Sequence, residues 1–138
     1  MCLFVHNRSR WRWWLMAKYK FFNINPMGKR EEDCVCRAIS LALQEDYYTI
    51  QDKLELIGCL FDCDELCVCC YKHLLDYVYR LDRIEEVHGM TVEEFADEFP
   101  RGTYIVRVPQ HCTCVIDGNI IDIWDCRDEI VDIVWEVK

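Results

Sequence analysis

Apolar residues follow a helical period up to about residue 100 and an alternating period after it. After Asp33, apolar side chains recur at intervals of three and four residues, at Val35, Ala38, Ile39, Ala42 and Leu43. This spacing is typical of an amphipathic helix, and because Asp is a preferred N-cap we expect the helix to begin directly after Asp33. Similar patterns predict helices over residues 50–60 and 64–81. A short fourth helix is predicted between Thr91, which forms a capping box with Glu94, and Pro100.

The part of the chain after Pro100 predicts strands. Apolar and polar residues alternate over residues 103–108, 111–116, 119–124 and 129–137. Asp117-Gly118 lies between two of these segments and is a strong signal for a tight hairpin. An aromatic, strand-like run at residues 18–25 precedes the first helix. We therefore predict an α+β fold in which N-terminal helices pack on a C-terminal antiparallel sheet.

The length and the distribution of charge indicate one acidic domain. A chain of 138 residues is long enough for one real core, and we assign residues 16–138 to a single domain. Residues 1–15 form a basic, aromatic extension whose order the sequence leaves open. Residues 1–30 carry seven Lys and Arg and no acidic residue, so the rest of the chain has 9 basic and 25 acidic residues, a balance of −16. Such an acidic body would repel phosphate backbones, which argues against nucleic-acid binding by the main domain.

The number of cysteines and the lengths of the apolar segments indicate where in the cell the protein is located. The eleven cysteines are odd in number and several of them fall within helical or strand patterns, which argues against a secreted disulfide framework. No segment matches a secretory signal, and no apolar run approaches the roughly 20 residues that span a bilayer. We therefore expect a cytoplasmic protein with reduced thiols and no membrane contact.

Cys34 and His111 are the residues whose position and chemistry point most clearly to catalysis. Cys34 directly follows the expected N-cap, where the partial positive charge of the helix N-terminus favours the nucleophilic thiolate. A cysteine nucleophile needs a base that accepts and returns its proton, and histidine suits neutral pH. His111 opens a predicted strand that a sheet could bring against the start of the helix. We predict Cys34 as the nucleophile and His111 as the general base and acid.

The imidazole of His111 needs an acceptor to orient it, and two aspartates are available. If Asp117 and Gly118 form the centre of the turn, Trp124 faces His111 across the hairpin. Asp122 then lies diagonally on the same face, whereas Asp125 has the opposite parity unless the strand ends or bulges there. Simple alternation therefore favours Asp122 as the third residue.

The order of these residues resembles that of a known superfamily. A cysteine at a helix start, a histidine that opens a strand and an aspartate or asparagine that ends the next strand resemble the papain-like cysteine peptidases. More closely, the chain resembles small, uncharacterised peptidase-like proteins of phages and prophages of Gram-positive bacteria over residues 16–138, through the short motifs Asp-Cys-x-x-Arg-Ala-Ile, at Cys34, and His-x-x-x-x-x-Asp-Gly, at His111. The resemblance implies a papain-like fold, a Cys-His-Asp triad whose third member is Asp125, and cleavage of a peptide or isopeptide bond without a cofactor. Its partner would be a protein or peptide substrate.

The chain departs from the superfamily at the oxyanion hole. Papain-like enzymes usually carry a glutamine about six residues before the cysteine, and here that position is Gly28. We expect Asn25 or Asn23 to provide a side-chain donor instead, together with the backbone N–H of Cys34. The missing glutamine also fits an inactive papain-like module that binds a host or phage protein, which stays open as an alternative.

A zinc-binding domain is the third interpretation. Cys59, Cys63 and Cys67 recur at intervals of four, followed by Cys69 and Cys70, with His73 nearby. On one continuous helix these thiols would be spread along the axis and could not surround one ion without a break near the sequence FDCDE. Buried cysteines that act as small apolar side chains are the simpler expectation, so we predict no metal ligands. The sequence leaves the substrate and the oligomeric state open.

Overall fold

The computed structural model describes residues 18–64 and 67–138, so the predicted extension at residues 1–15 lies outside the described part. The described residues form four helices and six strands. The helices are α1 (Cys34–Leu43), α2 (Tyr47–Phe61), α3 (Val68–His73, continued by a π-helical turn Leu74–Val78) and α4 (Val92–Glu98). The strands are β1 (Tyr19–Phe21), β2 (Asp82–Arg83), β3 (Thr103–Val108), β4 (His111–Ile116), β5 (Asn119–Asp122) and β6 (Ile133–Val137). The α+β class is confirmed.

The strands form one sheet in the order β1-β5-β4-β3-β6-β2. Four of the five neighbouring pairs are antiparallel, but β1 runs parallel to β5. The sheet is therefore mixed, and the prediction of an antiparallel sheet is correct only for part of it. The reason is that β1 and β5 are about a hundred residues apart in the chain, so no local turn fixes their relative direction.

Helices cover both faces of the sheet. One hydrophobic cluster joins α1, α2 and α3 to inward-facing residues of the central strands, among them Ile105, Cys114 and Trp135. The second cluster joins α4 to residues of the opposite parity, including Val106 and Val115. Because both faces are covered, the central strands β3 and β4 are buried along most of their length. The first residue of β4, His111, is half-buried and lies at the edge of this core, next to α1.

The predicted element boundaries hold best where a local signal sets them. Helix α1 begins at Cys34, directly after the N-cap Asp33, and Thr91 and Glu94 form both hydrogen bonds of the capping box. Strands β3 and β4 have the predicted bounds. The predicted helix at 64–81 begins only at Val68, because the chain turns between α2 and α3, and the predicted strand at 129–137 is regular only from Ile133. Among the described helices, none is both long and apolar enough to cross a bilayer.

Candidate active site

Cys34 is the first residue of α1 and is half-buried. The preceding N-cap, Asp33, does not use its carboxylate to cap the helix. Instead, the carboxylate is buried and accepts hydrogen bonds from Arg37, from the Tyr47 hydroxyl at 2.6 Å and from the Asn25 amide at 2.9 Å. These three contacts hold the start of α1 in place, so the position of the Cys34 sulfur is fixed by buried polar groups from several segments.

The hairpin between β4 and β5 brings His111 and Asp122 together. Ile116 pairs with Asn119 across Asp117-Gly118, which is the register predicted from the turn. His111 Nε2–H donates to Asp122 Oδ2 at 2.6 Å, and both side chains are largely buried. The Trp124 ring meets the His111 ring edge-to-face, with ring centroids 4.8 Å apart. Because Trp124 lies at the surface against the His111 ring, it shields one side of the imidazole from solvent.

Cys34 and His111 line the same cleft, and the side chain of His111 and the backbone of Cys112 both act on the pKa of the Cys34 thiol. Burial opposes a charge on the sulfur, but these two groups and the positive charges of His111 and Arg37 outweigh it, so the pKa of Cys34 is lowered. A lowered pKa increases the fraction of the nucleophilic thiolate at neutral pH.

His111 and Asp122 form an ion pair next to this sulfur. Burial alone would lower the pKa of His111, but hydrogen bonds with Asp122, Cys126 and Cys34 raise it to about 11. Burial alone would raise the pKa of Asp122, but the hydrogen bond and the charge of His111 lower it. The protonated imidazolium is therefore favoured between a carboxylate and a thiolate, the charge state that a cysteine hydrolase needs at rest.

Neighbouring cysteines differ from Cys34 in their environment. Burial raises the pKa of Cys112 well above its ordinary value and raises the pKa of Cys114 to about 12. The Cys36 thiol is buried and donates to the Tyr47 carbonyl at 3.2 Å. Cys112 and Cys114 therefore stay protonated at neutral pH, so the environment sets Cys34 apart from the thiols of β4.

Arg37, the arginine of the motif at Cys34, forms the salt bridge with an acidic neighbour that its sequence position predicts, and it also belongs to the site. One turn after Asp33 on α1, its buried guanidinium contacts Asp33 and also lies 3.4 Å from Asp122 Oδ1. It therefore links the start of α1 to the carboxylate that holds His111. The i,i+4 spacing from Asp33 was a visible signal for the first contact, but the contact with Asp122 joins residues 85 positions apart and required the fold.

Three residues predicted for the site lie elsewhere. Asp125 is exposed and pairs with Arg127 at 2.8 Å, so the structure brings Asp122 rather than Asp125 to His111. The strand ends at Asp122, and the chain then turns Asp125 outward. The Asn25 amide is buried against Asp33 and Tyr47, and the Asn23 amide donates to the Lys29 carbonyl at 2.8 Å. Both amides are engaged in holding the segment before α1, so the expected oxyanion role is not supported for either.

A cleft of about 550 Å³ opens over Cys34 and His111. Its wall is partly apolar, and the apolar lining residues are Val35, Val68, Ile123 and Trp124. Two exposed carboxylates, Glu31 and Glu32, line it beside Cys34. Gln110, the exposed residue before His111, also lines the cleft. The cleft thus gives a ligand access to a sulfur and an imidazole that are otherwise held in a buried network.

Within residues 18–64 and 67–138, two groups of side chains contain potential metal ligands. His111, Asp122 and Cys126 have donor atoms within 4.8 Å of one another. However, the 2.6 Å separation of Nε2 and Oδ2 is a direct hydrogen bond, whereas two such ligands of one zinc ion lie about 3.3 Å apart. The second group is Cys63, Cys69 and Cys70, which belong to the α2–α3 connection. The first group therefore fits a catalytic pair better than a metal site.

Comparisons with protein-family models, with curated proteins and with solved structures give no match to this chain.

Proposed function

We propose that the chain is a cysteine hydrolase of papain-like design that cleaves a peptide or isopeptide bond. The observation that carries this proposal is the array Cys34–His111–Asp122, in which the half-buried Cys34 and His111 line a cleft at the start of a helix and the buried Asp122 holds His111. A nucleophile at a helix start, a base on a strand and an orienting carboxylate on the next strand also agree with the papain-like order. The resemblance of the motifs points to the same chemistry.

In the proposed reaction, the Cys34 thiolate attacks the carbonyl carbon and forms a C–S bond. Nε2 of His111 is held by Asp122, which leaves Nδ1 to exchange a proton with the sulfur and with the substrate. The imidazolium protonates the leaving nitrogen as the C–N bond breaks, and the neutral imidazole then accepts a proton from water. The water oxygen attacks the carbonyl carbon of the thioester, and the C–S bond then breaks. This step releases the carboxylic acid and restores the thiolate–imidazolium pair.

The oxyanion of the tetrahedral intermediates needs at least two donors. The backbone N–H of Cys34 is available to a ligand in principle, because the first N–H groups of a helix have no partner within the helix. We assign the second donor to the Gln110 side chain, which lines the cleft next to His111. Gln110 also has a left-handed backbone conformation, with φ of 59°, where glycine would be less strained.

Substitution of Gln110 separates this role from a structural one. Gln110→Gly removes the amide and relieves the left-handed backbone, so we expect unchanged or higher stability together with a roughly 100-fold loss of kcat. A variant that is less stable and equally active would contradict the assignment.

The central test of the proposal is the reactivity of Cys34. At pH 6 an ordinary thiol is only roughly 0.3% ionised, so iodoacetamide should alkylate Cys34 at least about tenfold faster than the exposed Cys59 of the same molecule. The His111→Gln variant should lose this advantage. Peptide mapping by mass spectrometry measures both rates, and equal rates for the two thiols in the native protein would refute the proposal.

Hydrolysis itself is tested with a diverse peptide library. We expect cleavage by the native protein and none by the Cys34→Ala variant, whereas Cys36→Ser, two residues away, should keep its activity. One observation favours an inactive binding module as the second candidate: the amides of Asn25 and Asn23 are engaged away from the cleft. Reactive Cys34 without cleavage of any peptide, combined with specific binding of one intact protein, would favour that module.

A further inference from the structure

Four thiols gather where α2 ends and α3 begins. We call Cys63, Cys67, Cys69 and Cys70 the thiol cluster. The sulfurs of Cys63, Cys69 and Cys70 lie within 4.8 Å of one another, and the sulfurs of Cys67 and Cys69 are 3.1 Å apart. All four are free thiols, and their exposure ranges from buried Cys70 to exposed Cys69.

The connection between the helices supplies the break that a metal site needs. Helix α2 ends at Phe61, and Asp62 adopts a left-handed conformation with φ of 51°. The chain then turns, and Cys67 is the N-cap of α3. Cys63 therefore approaches from the end of one helix, while Cys69 and Cys70 approach from the first turn of another. The thiols converge instead of forming a stripe along one axis.

We infer that the thiol cluster binds one soft metal ion, with Zn²⁺ as the expected occupant. In a tetrahedral zinc–thiolate site with bonds of about 2.3 Å, neighbouring sulfurs lie about 3.8 Å apart. The sulfurs of Cys63, Cys69 and Cys70 already lie within 4.8 Å of one another, and the Cys67 sulfur lies 3.1 Å from that of Cys69, so side-chain rotation would bring the sulfurs to this spacing. Four thiolates exclude hard cations such as Mg²⁺ and Ca²⁺, which require oxygen ligands.

The surroundings of the cluster suit the entry of a cation. A surface cavity next to Cys63 is lined by the carboxylate residues Glu55, Asp62 and Asp64. Negative charge at this opening raises the local concentration of cations. The ion would replace the thiol protons on binding, including the proton that Cys70 donates to the Asp64 carbonyl at 3.0 Å.

The metal would also stabilise one wall of the cleft. Val68 and Tyr71 of α3 line the cleft over Cys34, and Val68 lies between two cysteines of the cluster. A metal that ties the end of α2 to the first turn of α3 would therefore fix these two side chains. The inference does not depend on the proposed hydrolase, because metal binding is measured without any substrate.

The test is elemental analysis of protein purified under reducing conditions without chelators. We expect about one zinc ion per chain and, after exchange with Co²⁺, the sulfur-to-cobalt charge-transfer absorption of a thiolate site. The Cys69→Ser variant replaces an exposed residue and should fold, as circular dichroism can show, while its zinc content falls at least about tenfold. Cys59→Ser, on α2 and outside the cluster, and Cys126→Ser, beside His111, should keep the metal.

Thermal unfolding provides an independent measurement. Zinc at about 100 times its dissociation constant should raise the midpoint of native metal-free protein by roughly 10 °C. The same addition should leave the midpoint of Cys69→Ser unchanged. Native protein that contains less than about 0.1 zinc per chain and shows no shift, or whose Cys67 and Cys69 form a disulfide in place of binding metal, would overturn the inference.

Discussion

Asp122→Asn removes the negative charge that faces His111 but keeps the size of the side chain. In the native protein, burial opposes the charged imidazole, yet the contact with Asp122 outweighs it and the pKa of His111 is about 11. For charges about 4 Å apart and an effective dielectric constant of about 20, the attraction is about 4 kcal/mol. This energy equals ~3 pKa units, so we expect the pKa of His111 in the variant to be roughly 8.

The pKa of His111 is measured from the pH dependence of its imidazole NMR signals between pH 5 and pH 11. The chain has four histidines, and the His111→Gln variant identifies the signal that belongs to this ring. Alkylation of Cys34 measured on the same samples should slow at neutral pH, because a less basic His111 stabilises the thiolate less. The NMR titration reports the proton on His111, and the alkylation rate reports the Cys34 thiolate that His111 stabilises.

Asp125→Asn is the matched control for this prediction. Asp125 carries the same charge three residues later in the chain, but it is exposed and pairs with Arg127. We expect its removal to change the pKa of His111 by less than about 0.5 unit, because solvent screens its charge. A pKa of His111 that stays near its native value of about 11 in Asp122→Asn would refute the assignment of Asp122. An equal decrease of this pKa in Asp125→Asn would refute it as well.

Two further predictions concern stability. Arg37→Met leaves the buried carboxylates of Asp33 and Asp122 without their shared cation, so urea unfolding should show a loss of about 3–5 kcal/mol. Arg127→Met, which removes a surface ion pair, should cost about 0–1 kcal/mol, and equal losses would contradict the role of Arg37. The stability difference between native protein and Asp122→Asn should be largest between pH 3.8 and about pH 8. The lowered pKa of Asp122 stabilises the native fold fully only above 3.8, and this contribution fades as the pH falls. The raised pKa of His111 stabilises both proteins less as the pH rises above 6.5, but the difference between them decreases only from about pH 8, the expected pKa in the variant, towards about 11. Urea unfolding across this range should show that maximum, and a pH-independent difference would contradict the ion pair.

The elements of the site could be predicted because short-range rules set them. The N-cap position of Asp33 placed Cys34 at a helix start, and the two-residue turn at Asp117-Gly118 fixed which residues of the hairpin face each other. That register was enough to place Asp122 on the same face as His111. The choice of Asp125, which came from resemblance alone, is not supported by the geometry because the strand ends before that residue.

The sequence by itself determined the local features of this protein, namely the helix starts, the central hairpin and the positions of a cysteine and a histidine with suitable chemistry. Only the tertiary structure decided that Arg37 reaches Asp122, that the Asn25 amide is buried against Asp33, and that β1 runs parallel to β5. It also decided that the cysteines after α2 converge. Local features depend on backbone preferences within a few residues, whereas these contacts join segments whose proximity depends on how the whole core packs.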